Sequence, residues 1–129
     1  MDAEAVPQSV AAEVTCLLFV YGSLKRGQAN HRQLRGARFI AAVRTVPAFA
    51  LRELAGYPAL VPGSRAIAGE LYEVPTERLA ELDEFEGNGY ARGQITLACQ
   101  GLVIAYLARD VDAGLPLTLS EWPEPAGAH

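Results

Sequence analysis

The chain has 129 residues, 50% of them hydrophobic and 20% charged, with a net charge of −4. That length fits one compact domain burying roughly two-thirds of its unfolded surface, and the acidity sets the surface field as a whole against nucleic acid and anionic lipid. No run approaches the ~20 apolar residues of a membrane helix, and residues 1–15 lack a basic start followed by a long apolar run, so a cytoplasmic location is the default expectation; Cys16 and Cys99, far apart and in apolar surroundings, read as buried thiols of a reducing compartment.

Residues 1–15 lack periodicity and read as a loose N-terminal arm. Val14 to Tyr21 is an apolar run rich in β-formers that Gly22-Ser23 stops at once, a buried strand entering a turn. Asn30-His31 can open a short helical turn through Leu34. Phe39 to Phe49 and Ile67 to Val74 read as strands, with Gly56, Pro58, Pro62, Gly63 and Ser64 as loop punctuation between them. Thr76, after Pro75, starts a helix that Gly87 can stop. Tyr90 to Ala98 and Leu102 to Ala108 bracket Gln100-Gly101 as a hairpin, and the proline-containing tail, residues 117–129, reads as irregular. Helices are too few to alternate with every strand, so a doubly wound parallel sheet is disfavoured. The expected architecture is α+β: a small mixed β-barrel with flanking helices over residues 16–116.

Within the helix, ~100° per residue sets Glu86 beside Leu79 and Leu82, so this carboxylate points inward, whereas Glu77, Glu81 and Glu84 lie off the apolar stripe. An inward carboxylate must be paired or carry a raised pKa, and the second state is what a general acid/base needs. Two readings follow with equal weight: an acid/base, or a residue that caps the helix or pairs with Arg92 at its fraying end; for Arg92, Asp83 and Glu86 are both open as partners.

The other candidates are individually weak. In Tyr21-Gly22-Ser23-Leu24-Lys25-Arg26-Gly27 a strand ends in a turn whose backbone N–H groups could hold a carboxylate or oxyanion, although most such turns are only turns. The segment satisfies neither the P-loop pattern nor G-x-S-x-G, so Ser23 reads as a turn residue. His31, the one internal histidine, reads as structural. Lys25, Arg26, Arg32, Arg35 and Arg38 form a basic strip, a solvated face or a lure for an anionic small substrate. Tyr57, Tyr90 and Tyr106 could orient a substrate or be half-buried core residues. No His, Cys, Asp and Glu grouping has metal-ligand spacing, so no metal is expected.

Taken in order, Phe19-Val20-Tyr21-Gly22-Ser23-Leu24-Lys25-Arg26-Gly27, Asn30-His31, Gly69-Glu70-Leu71-Tyr72, Leu82-Asp83-Glu84-Phe85-Glu86-Gly87 and Tyr90 resemble the γ-glutamylcyclotransferase-like family, in particular its AIG2-like branch of γ-glutamylamine cyclotransferases and aminoglycoside-pathway enzymes. The resemblance covers Leu17 to Arg109 and lies in the order and spacing of several short motifs. It implies a small β-barrel with a cavity at one end and a reaction that cyclises a γ-glutamyl group to 5-oxoproline, releasing the attached amine. It further implies Glu86 as catalytic acid/base, Tyr21, Gly22, Ser23, Leu24, Tyr90 and Tyr106 as substrate-binding residues, a small γ-glutamyl substrate and no cofactor. Two departures, the compact Gly87-Asn88-Gly89 and the short loop at Gly56-Tyr57-Pro58, bear on which amine leaves. The competing expectations are a small-molecule-binding or regulatory domain of the same fold and a nucleic-acid module using the basic strip, which lacks the interleaved aromatic residues such modules use.

Overall fold

The computed structural model describes residues 14–124. Eight strands are present: β1 (Thr15–Val20), β2 (Arg38–Arg44), β3 (Phe49–Leu54), β4 (Tyr57–Pro62), β5 (Ala68–Pro75), β6 (Tyr90–Leu97), β7 (Gly101–Ala108) and β8 (Leu115–Leu117). The one α-helix among the described residues, α1 (Leu79–Glu86), follows a 3₁₀ turn at Thr76–Arg78 and precedes another at Gly87–Gly89; a third 3₁₀ turn spans His31–Leu34. No helix among these residues is long and apolar enough to cross a membrane. Thr15 already belongs to β1, so the expected loose arm falls on residues outside the described range, and Leu115–Leu117 of the tail region pairs with β3.

The strands join one mixed sheet in the order β2-β5-β1-β7-β4-β3-β8, with β6 antiparallel to β7. The α+β class holds, but the ladders do not close into a barrel. Beyond β6 the link back towards the end of β2 is a single bridge, Thr45 to Leu97, with the Val46 N–H bonded to the Thr96 carbonyl and the Ala98 N–H to the Arg44 carbonyl. Three residues on, Pro47 can donate no ladder hydrogen bond.

Period-two alternation in β1 divides the interior. Phe19, with Tyr21 just beyond the strand, enters one cluster with Leu51, Leu60, Ile67 and Leu71. Leu18 and Val20 enter a second with Tyr72, Val74, Tyr106 and the helix residues Leu79 and Leu82. The helix therefore docks through two leucines at i and i+3, the spacing that shares one face. It stops where expected: Gly87 has φ 77°, a conformation that costs glycine little.

The segment read as loop punctuation is instead a hairpin. Leu54 pairs with Tyr57 across Ala55 (φ 51°) and Gly56 (φ 88°), a two-residue loop with both central residues at positive φ. Ala55 stands where Asn or Asp is usual, and Pro58 and Pro62 break the strand pattern, which is why the sequence conceals it. The cysteine expectation also fails: Cys99 is exposed in the β6–β7 turn and Cys16 only half-buried, because Cys99 falls among the three residues that turn the chain between these strands.

Strand β7 is where the sheet divides. Its Ile104 and Ala105 pair in parallel with Leu18 and Phe19 of β1, whereas Leu107 pairs in parallel with Leu60 of β4. At the handover the buried Tyr21 hydroxyl donates to the Tyr106 carbonyl at 2.6 Å and accepts the Leu60 N–H at 3.0 Å. Removing that oxygen strands a buried N–H and a buried C=O. Tyr21→Phe is therefore expected to lower unfolding free energy by roughly 1–3 kcal/mol in urea titrations; Tyr57→Phe, at an exposed ring, should stay within about 0.5 kcal/mol of the parent.

Candidate active site

At the end of β1 the chain must leave the sheet, because β4 takes over the edge of β7 beyond Ala105. The exit is the turn Gly22-Ser23-Leu24, held by the Lys25 N–H on the Gly22 carbonyl (3.0 Å) and the Asn30 N–H on the Ser23 carbonyl (3.0 Å). The Asn30 amide also donates to the Ser23 hydroxyl oxygen at 2.9 Å, so Asn30 braces the turn instead of capping its own short helix. Gly22 is required by packing: a Cβ there would stand 2.8 Å from Cγ of Pro58.

This turn lines a narrow cleft of about 40 Å³ whose lining brings together every predicted site residue: Tyr21, Gly22, Ser23, Leu24, Tyr90, Tyr106 and Glu86. Pro58 and Tyr57, from the hairpin the sequence concealed, complete it. Among the described residues, the backbone N–H groups of Gly22, Ser23 and Leu24, three residues of the cleft lining, donate no hydrogen bond to protein.

Three of the four tyrosine hydroxyls at the cleft, those of Tyr21, Tyr90 and Tyr106, are already engaged. Tyr21 bridges β7 and β4 as described, Tyr90 donates to the Pro58 carbonyl at 2.8 Å, and Tyr106 donates to Asp83 Oδ1 at 2.6 Å. They shape the cleft with rings and leave its polar chemistry to other groups. Asp83 itself is held by Arg92 Nη2 at 3.3 Å. The pairing of Glu86 with Arg92 that the sequence left open is therefore not made: Arg92 goes to Asp83, and among the described residues Glu86 has no hydrogen bond or ion pair.

Burial without a partner pushes the Glu86 carboxyl up from 4.5 to about 7. Its neighbours respond: burial, followed by the nearby Glu86 charge, raises Tyr90 to about 12, so this phenol stays protonated and keeps its donor role. The arrangement is thus one carboxyl whose burial raises its pKa to about 7, in the same cleft lining as a turn whose N–H groups have no protein acceptor among the described residues.

The remaining expectations resolve as structure. His31 donates from Nδ1 to the Leu24 carbonyl at 2.9 Å and leans on the Tyr72 ring. Within the basic strip, Arg38 pairs with Glu73 at 2.8 Å, and Arg26 lies 3.8 Å over the Phe39 ring beside Glu70. Among the described residues no three His, Cys, Asp or Glu side chains converge as metal ligands. What the sequence reading missed are Pro58, which fixes Gly22 and receives Tyr90, and the bond from Tyr106 to Asp83. Of the two partners left open for Arg92, the structure takes Asp83.

Comparison with known proteins places the chain in a family. The chain is 31% identical over 107 residues to the γ-glutamylcyclotransferase family protein YtfP of Escherichia coli, covering 81% of this chain and 94% of that one. It is 47% identical over 84 residues to the γ-glutamylaminecyclotransferase of Homo sapiens, covering 54% of this chain and 52% of the human enzyme. Of two further bacterial relatives it spans 61% and 44% of the length. In three dimensions it matches the crystal structure of a uropathogenic E. coli-specific protein with a TM-score of 0.78 at 27% identity, covering 84% of this chain and 93% of that one. The profile of the family described as "Gamma-glutamyl cyclotransferase, AIG2-like" matches residues 18–124, and the chain belongs to that family of enzymes.

Proposed function

We propose that this protein cyclises a γ-glutamyl amine or peptide to 5-oxoproline and releases the free amine, with Glu86 as the general acid/base. The observation that carries this reading is the unpaired Glu86 carboxyl, titrating near 7, in the same cleft as the donor-rich Gly22-Ser23-Leu24 turn. The name of the human relative, a γ-glutamylaminecyclotransferase, supports the substrate class.

Ionised Glu86 removes a proton from the α-ammonium of the γ-glutamyl group. The freed amine attacks its own γ-carbonyl carbon, forming the ring C–N bond, and the carbonyl oxygen gathers negative charge that the turn's N–H groups can stabilise. Glu86 then returns the proton to the leaving nitrogen as the original amide C–N bond breaks, and the ring nitrogen gives up its second proton to the departing amine, so the products are 5-oxoproline and the amine in its ammonium form. Because nucleophile and electrophile share one molecule, holding the chain in a folded-back conformation supplies the entropic part of the acceleration.

Glu86→Gln keeps the shape and cannot carry a proton, so 5-oxoproline release should fall on the order of 10²-fold or more, with substrate binding retained. Glu84→Gln, on the exposed face of α1, removes the same charge and should match the parent. Equal turnover by Glu86→Gln and the parent overturns the assignment of Glu86 as acid/base, and release of no 5-oxoproline by the parent from a panel of γ-glutamyl compounds favours a binding domain of this fold.

The raised pKa sets two pH dependences. The base must be ionised, so kcat/KM should rise with pH through a midpoint near 7; a midpoint at 4.5 would contradict a buried base. For stability the folded state holds the Glu86 proton more tightly than the unfolded chain does, so parent stability falls relative to Glu86→Gln as pH rises from 4.5 to about 7. The gap should be absent below that window and reach at most about 3 kcal/mol above it, read as a difference in urea unfolding at pH 4 and pH 8.

A further inference from the structure

Outside the narrow cleft lies a second, much roomier groove of about 410 Å³, and the two share Ser23, Tyr57, Glu86 and Tyr90. Glu86 therefore stands at the boundary between them. A proton donor at such a boundary reaches a leaving nitrogen whose γ-glutamyl side occupies the cleft and whose substituent occupies the groove.

The groove's other walls are mostly apolar, with Asn30, whose amide donates to the Ser23 hydroxyl oxygen, as their one polar side chain. Leu54 and Ala55 come from the β3–β4 hairpin and Phe85 from α1. Phe85 and Tyr57 are 38% and 42% exposed, two large rings left partly open to water beside the acid, where a ligand would cover them. Among the described residues no lysine or arginine lines either the cleft or the groove. Of the arginines around this end of the chain, Arg92 is held by Asp83, and Arg109 donates to the Asn88 and Tyr90 carbonyls. An α-carboxylate on the leaving amine would enter the groove without a cation to meet it. A second ammonium would find Glu86 alone, and that carboxyl is committed to moving the reaction's own proton.

We infer that the amine released by this enzyme is an uncharged-tail, apolar primary amine, alkyl or arylalkyl, and that Phe85 and Leu54 select it. This rests on the cyclotransferase reading above and specifies its leaving group. The carboxylate of an amino acid and the cationic tail of a diamine are both penalised, because each must shed water with no paired charge in return.

Matched conjugates test it. Purified protein is assayed for 5-oxoproline release from γ-glutamylphenethylamine against γ-glutamylphenylalanine, which differ by the carboxylate, and from γ-glutamylpentylamine against γ-glutamylcadaverine, which differ by the terminal ammonium. The apolar member of each pair should have kcat/KM higher by at least about tenfold, mainly through KM. Phe85→Ser should shrink the ratio of phenethylamine to methylamine conjugate by about tenfold, and Phe85→Leu, which keeps apolar area, should preserve most of it. Equal or reversed preference within the pairs, or a ratio untouched by Phe85→Ser in a variant with parental thermal unfolding, overturns the inference and leaves the cyclotransferase reading standing. Release of 5-oxoproline from none of the conjugates overturns both.

Discussion

A strand edge can be hydrogen-bonded only once along its length, and in this fold two strands need the same edge of β7. Strand β1 takes Ile104 and Ala105, and β4 takes over at Leu107. Between them the Tyr106 carbonyl and the Leu60 N–H would be buried without partners, a cost comparable to losing a hydrogen bond each. The Tyr21 hydroxyl serves both. Everything distinctive about the cleft follows from that handover: β1 must turn away at Gly22, the turn's N–H groups lose any ladder partner, and Pro58 of β4 closes over Gly22.

The helix places a carboxyl at the same spot. Leu79 and Leu82 dock α1 on the second face of the sheet, and their rotation brings Glu86 to the cleft. Neighbouring polar groups are then paired with one another: Tyr106 with Asp83, Asp83 with Arg92, Tyr90 with Pro58. This closed set of bonds withholds every partner from Glu86, and the lack of a partner, with burial, keeps its proton affinity near neutrality. Burying a carboxyl without a partner costs stability locally.

The compact Gly87-Asn88-Gly89 turn and the two-residue Ala55-Gly56 loop leave the outer groove open. With no longer loop from either segment across it, Phe85 and Tyr57 remain partly exposed at its rim. Loop length thus shapes the outer groove while the sheet fixes the cleft, a division between variable loops and a fixed scaffold.

Local chemistry fixed what was readable in the sequence. The apolar run into Gly22, the Leu79, Leu82 and Glu86 repeat and the stop at Gly87 each depend on neighbours within one element, where periodicity and φ preference act directly. The order of short motifs carried the family. Tertiary structure alone decided the rest, because it concerns partners distant in the chain. Arg92 chooses Asp83 over Glu86, Asn30 braces Ser23 instead of a helix start, Tyr21 spends its hydroxyl on β7 and β4, and Ala55 accepts a positive φ that its neighbours impose. The same holds for closure of the sheet, which depends on whether β2 and β6 form a ladder or, as here, a single bridge. Pairing across dozens of residues is settled by which groups packing leaves unsatisfied, and no single stretch of sequence contains that information.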